Sequence, residues 1–134
     1  MLEDNLRLYI NLDMNHVDAE RNSGVTLQGN SATDVKHIEG LVGEFAKSQP
    51  ELYGKYSISV RELDSEEMPY NSDHAPFVFG IHQEADDFGL AMMCYGSGSS
   101  EYHTYLDNMD RFNEESLAVS GIIYGSLVRH LAWG

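Results

Sequence analysis

The sequence predicts an α/β fold, a mixed β-sheet flanked by helices, and three observations carry that prediction. Four runs of strand length (residues 6–14, 25–29, 56–61 and 90–95) are apolar or alternate apolar with polar residues. Two longer segments, 32–47 and 114–133, carry helix-length apolar patterning. Glycine, proline, asparagine and aspartate gather between these runs, where turns are needed.

Taken in order, Leu6, Leu8, Ile10, Leu12 and Met14 alternate with other residues, and Tyr9 adds bulk to the opposite face. That pattern predicts an interior strand. Asp13 stands at its C-terminal end, where open α/β sheets present ligand-binding groups. Asn22, Ser23 and Gly24 predict a turn before strand 25–29. Ser31 or Thr33 can cap helix 32–47, whose apolar face is Val35, Ile38, Leu41, Val42, Phe45 and Ala46. His37 falls off that stripe and reads as a solvated residue. Pro50 stops the helix, and Tyr53, Gly54 and Lys55 turn the chain into strand 56–61.

Residues 62–67 read as a solvated acidic loop, and Pro76 fits the first turn of a short helix capped by Ser72 or Asp73. Residues 90–95 predict a buried strand, and the Gly/Ser tract 96–100 a flexible loop that delivers Tyr102 and His103. In helix 114–133 the expected core residues are Leu117, Ile122, Leu127, Val128 and Leu131. Ser120, Gly121, Gly125 and Ser126 would permit close approach to a sheet. Glu114 and Glu115 suit this helix's positive end, Arg129 and His130 its negative end.

At 134 residues the chain, 1–134, is expected to be a single domain, and 42% hydrophobic residues are enough for it to fold. Lys and Arg total 8 against 22 Asp and Glu, a net charge of −14. Such a chain repels phosphate backbones, which argues against nucleic acid as a partner. Cys94 is the only cysteine, so no internal disulfide can form, and its apolar run predicts a buried residue. No apolar stretch is long enough to span a membrane, and no signal peptide is visible, so localisation stays open.

Three motifs carry the chemistry. Tyr9 to Met14 is an apolar strand ending in N-x-D-M, residues 72–77 read S-D-H-A-P-F, and Tyr102-His103-Thr104 leads into Asp107 and Asp110 as Y-H-T-x-x-D-x-x-D. In this order they resemble the signatures of zinc aminopeptidases of the bacterial leucyl-aminopeptidase and glutamate-carboxypeptidase family. The likeness covers nearly the whole chain. Because that family's other metal ligands precede the first motif, the resemblance implies the C-terminal half of a catalytic domain. The implied fold is a zinc-exopeptidase-like three-layer sandwich, truncated at its N-terminal side.

The resemblance also implies a peptide substrate and two zinc ions in the complete domain. Asp13 would hold one ion and His103 the other, and Tyr102 would donate a hydrogen bond to the developing oxyanion. Ser72, Asp73 and His74 would line the substrate pocket or orient ligands. His16-Val17-Asp18 has the family's H-x-D ligand form but follows the N-x-D-M strand instead of preceding it, so it reads as loop chemistry. Residues 78–89 depart from the family pattern by an acidic insertion. No counterpart of the family's general-base Glu-Glu pair is visible, so this chain alone is expected to be a poor peptidase. Two other functions fit the resemblance, a non-catalytic binding or scaffold domain of the same fold and a glutaminyl-cyclase-like relative. A shortened sheet would expose an edge and favour a homo-oligomer.

The acid-rich composition, with only three lysines (Lys36, Lys47 and Lys55), suits a protein from a salt-loving source, kept soluble in high salt where screening relieves self-repulsion. Thermal unfolding from low to molar KCl is expected to show a midpoint that rises with salt. A flat or falling midpoint contradicts this reading.

Overall fold

The structure is a computed structural model that describes residues 6–13, 24–80, 88–96, 103–106 and 108–134. Strand β1 is Tyr9–Asp13, β2 is Val25–Gly29, and helix α1 runs Ala32–Ser48. Ser31 caps α1 by accepting from the Asp34 amide. A short helix α2, Pro50–Lys55, begins where α1 stops, because proline is well tolerated in a first helical turn. Strand β3 is Ser59–Glu62, and a 3-10 turn at Ser65–Glu67 carries a capping box between Asp64 and Glu67. Helix α3 is Ala75–Phe79, β4 is Ala91–Gly96, a second 3-10 turn spans Met109–Arg111, and α4 is Glu114–Trp133.

The four strands form one mixed sheet in the order β1-β4-β2-β3, an α/β class. β1 runs parallel to β4, with Tyr9 opposite Ala91 and Asp13 opposite Tyr95. β4 runs antiparallel to β2, and β2 parallel to β3 across the α1–α2 crossover. The strand period of two divides the core. Val25, Leu27, Met92 and Cys94 share one cluster with Val35, Ile38 and Phe45 of α1 and Val119, Ile123 and Leu127 of α4. Ala91 and Met93 join Met68 and Val78 in a second cluster, with Tyr9, Leu63, Phe79 and Phe88 packed around it. No helix among the described residues is long and apolar enough to cross a membrane.

Several sequence expectations change. Among the described residues β1 is the terminal strand of the sheet, not an interior one. Leu8 and Ile10 pack on one core and Tyr9 on the other, so its two-sided apolar pattern reflects two covered faces and not two paired edges. Leu12 is exposed and Asn11 buried. Tyr53, Gly54 and Lys55 belong to α2 instead of a turn, and β3 starts at Ser59, although Tyr56 and Ile58 before it are buried. His74, not Ser72 or Asp73, occupies the N-cap position of α3.

The largest correction concerns α4, whose boundaries match: Leu127 is buried and Leu131 packs on the core as expected, but Leu117, Ile122 and Val128 do not. Asn113 caps it, accepting from the Glu115 and Ser116 amides. The buried stripe is Ser116, Val119, Ser120, Ile123, Tyr124 and Leu127, while Leu117, Ile122 and Val128 are exposed. Of the small residues, Ser120 faces inward, whereas a Cβ on Gly121 or Gly125 would meet open space. The stripe is polar at its first turn and aromatic at Tyr124, so apolar counting finds only its later part, Leu127 and Leu131. The acidic insertion at 81–87, the Gly/Ser loop at 97–100 and the turn residues Asn22 and Ser23 lie outside the described residues.

Adjacent isoleucines on α4 give a direct test. Ile123→Ala should lower stability by about 2–5 kcal/mol in urea unfolding, the range for deleting a buried Ile side chain. Ile122→Ala should stay within about 0.5 kcal/mol, as exposed substitutions do. Equal costs would contradict this orientation.

Candidate functional site

The site is built on the C-terminal end of β1. Strand alternation puts Tyr9, Asn11 and Asp13 on one side, the face on which Leu63, Met68, Val78, Phe79 and Phe88 pack. Tyr9 stacks on Phe77 with ring centres 4.0 Å apart, which fixes the short helix α3 over the strand. Just before that helix, Ser72 and His74 reach Asn11 and Asp13.

The hydrogen-bond directions follow from chemistry. The Ser72 hydroxyl donates its one proton to Asp13 Oδ2, because a carboxylate only accepts. Ser72 Oγ therefore needs a donor as its other partner, and Asn11 Nδ2 lies 2.7 Å away. The same amide nitrogen lies 3.2 Å from His74 Nδ1, so that ring nitrogen accepts and the neutral ring carries its proton on Nε2. The result is a directed chain, with Asn11 donating to both His74 and Ser72, and Ser72 donating to Asp13. Asn11 is the hub, and sequence reading missed it. Its signal is a polar residue inside an otherwise apolar strand.

His74 is fully buried, and burial holds its pKa below the ordinary value. The Pro69 carbonyl and the charges of Asp13 and Asp73 pull the other way but do not prevail. Nε2 has no well-aligned hydrogen-bond partner. Asp73 is exposed and acts on this ring only through its charge, so of the predicted trio Ser72 and His74 enter the network.

The third motif is described only in part. Tyr102 and Asp107 lie outside the described residues, as does His16-Val17-Asp18. His103 is exposed and adopts φ 58, the left-handed region that histidine enters more readily than most residues. Because β1 and β4 are parallel and Asp13 is paired with Tyr95, the chain leaves β4 at the same end of the sheet as Asp13. Among the described residues no group of three or more His, Cys, Asp or Glu side chains could hold a metal ion. Comparison with protein-family models, curated proteins and solved structures finds no match.

The buried His74 has a consequence for pH. Its folded pKa is depressed, so on acidification the unfolded chain takes up a proton near the ordinary 6.5 that the folded chain still refuses. Stability contributed by this group is complete above that value and lost as pH falls toward the lowered folded pKa. Urea midpoints between about pH 7.5 and 5 should fall in the native chain and fall less in His74→Gln. Parallel slopes in the two proteins would exclude this histidine as the cause.

Proposed function

We propose that this chain is the C-terminal part of the catalytic domain of a zinc-dependent exopeptidase, an aminopeptidase of the bacterial leucyl-aminopeptidase and glutamate-carboxypeptidase family. One observation carries the proposal. Asp13 of the N-x-D-M motif accepts directly from Ser72 of the S-D-H motif, although 59 positions separate them. Two stretches singled out independently by their resemblance to one family thus meet at a strand end, where α/β sheets present ligands. The mixed sheet is compatible with part of a three-layer sandwich, and terminal strand β1 is where a further strand, or a second copy of the chain, would add.

The donor set suits zinc in kind, a carboxylate and an imidazole, but not in number, since catalytic zinc takes three protein ligands. Asp13 would hold one ion, with Ser72 engaging Oδ2. His103 would hold the second. Zinc would supply Lewis acidity toward the peptide carbonyl and lower the pKa of the attacking water. Asn11 and His74 would keep the Ser72 hydroxyl aimed at Asp13, and Tyr102 would donate to the oxyanion. The remaining ligands and the general base would come from residues outside 1–134.

The test uses the full reading frame that encodes this chain, assayed for zinc content and for hydrolysis of amino-acid anilides. Zinc-dependent hydrolysis is expected, lost in Asp13→Asn and reduced by about 10–100-fold in Ser72→Ala, the usual effect of removing an outer-shell partner. No zinc uptake by the full product would favour a binding or scaffold domain. Cyclisation of N-terminal glutamine peptides without anilide hydrolysis would favour the glutaminyl-cyclase-like reading.

A further inference from the structure

Helix α4 buries one side against the sheet and leaves the other open. On the open side Leu117, Ile122 and Val128 are exposed, between 39% and 54%. Among them Ala118, Gly121, Gly125 and Ala132 recur at helical spacing and form a seam of small residues down the helix. A Cβ on either glycine would meet open space, so no contact among the described residues requires glycine there, and glycine is the poorest helix former after proline. The strip widens toward α1, where Leu41 and Phe45 share a groove with Ile122 and Ile123, along with Glu44. The helix carries charge only near its ends. Glu114 in the first turn and Arg129 near the last are both exposed, and neither joins an ion pair among the described residues.

We propose that this face binds a second copy of the chain, the two α4 helices packing antiparallel about a two-fold axis. The occupant follows from charge complementarity, because the face matches itself only when reversed. Antiparallel packing sets Glu114 against the partner's Arg129, and symmetry makes that pair twice. The same register puts Ala118 opposite the partner's Gly125, and Gly121 beside the partner's Ile122. Each Ile122 then fills the space that a missing side chain leaves, and the two backbones approach closely. Reversed helices also bring the positive end of each macrodipole beside the negative end of the other. The area sets the strength. Twenty residues make a strip about 30 Å long and about 10–12 Å wide, roughly 300–360 Å2 in projection per copy. Even with the groove beside it, that lies below the roughly 800 Å2 per partner of a standard interface, so the dimer is weak and reversible. The net charge of −14 on each copy opposes association, and about 0.15 M salt limits that repulsion to a range of about 8 Å.

The interface lies across the sheet from Asp13, so it and the proposed peptidase centre can fail separately. Sedimentation equilibrium of the 134-residue chain in about 0.15 M KCl tests it. A monomer–dimer equilibrium is expected, with Kd between about 1 µM and about 1 mM. Gly125→Leu should weaken it at least about tenfold, while helix content by circular dichroism holds or rises because leucine is the better helix former. Glu114→Arg and Arg129→Glu should each weaken it about three- to tenfold through the two symmetric pairs. The double variant keeps the native net charge and should return to within about twofold of the native Kd, which keeps the test open should Gly125→Leu misfold. Leu12→Lys, at the exposed β1 edge, should leave the dimer unchanged. A native chain still monomeric at about 1 mM, a dimer that Gly125→Leu leaves intact, charge reversals that the double variant does not rescue, or a dimer lost only in Leu12→Lys overturns the proposal.

Discussion

β4 must be buried on both faces and paired on both edges, and the rest of the structure is arranged to satisfy it. Ala91, Met92, Met93 and Cys94 have no more than 1% exposure, so each face needs its own cover. Helices α1 and α4 cover one, and Leu63, Met68, Val78, Phe79 and Phe88 cover the other. Burial pushes the Cys94 thiol up to about 12, which makes it a packing residue and not a reactive one. Asn30 fastens the strand's entry. Its side-chain oxygen accepts from the Ala91 amide at 2.8 Å, and its amide nitrogen donates to the Gly89 carbonyl and to Ser65 Oγ. Gly29 beside it has no room for a side chain, since a Cβ would come within 2.6 Å of the Ala91 carbonyl. That clamp ties the covering segment to the sheet, which in turn brings Ser72 and His74 over Asn11 and Asp13.

Two of the cations, Arg7 and Lys55, hold carboxylates. Asp34 is buried at 1% exposure, and accepts from Ser31 Oγ and from Arg7 at 3.1 Å, joining the start of β1 to the start of α1. Lys55 at the end of α2 reaches Glu115 in the first turn of α4, and the Tyr56 hydroxyl donates to the same carboxylate at 2.8 Å. Lys55 and Tyr56 hold Glu115 below the usual carboxylate range, while burial and the same carboxylate hold Tyr56 above its ordinary value. Asn113 completes the junction, capping α4 and donating to the Tyr56 hydroxyl at 3.2 Å.

Much of the fold is legible in the sequence because its signals are local. Alternation marks β1, periodicity and Ser31 mark α1, and Glu114 and Glu115 mark the start of α4, whose cap Asn113 only the structure shows. What local pattern cannot supply is the partner. β1 looks interior because its faces are covered, a property that pattern reports, whereas its edge pairing is a matter of topology. The buried face of α4 is set by the sheet beneath it, which accepts Ser116 and Ser120 and leaves Ile122 in solvent. Within the candidate site, Asp13, Ser72 and His74 stand out by resemblance, but their linkage runs through Asn11, whose role appears only when residues 61 and 63 positions away come into contact with it.

The proposed function requires that Asp13 and His103 open into a common cavity, each holding one of two neighbouring zinc ions. Anomalous diffraction at the zinc edge from crystals grown in excess zinc measures this most directly. The claim predicts a peak about 2.0–2.2 Å from an Asp13 carboxylate oxygen, with His103 on the same ion or on one a few ångströms away. Asp13 and His103 on opposite sides of the molecule, with no peak beside Asp13, would contradict it.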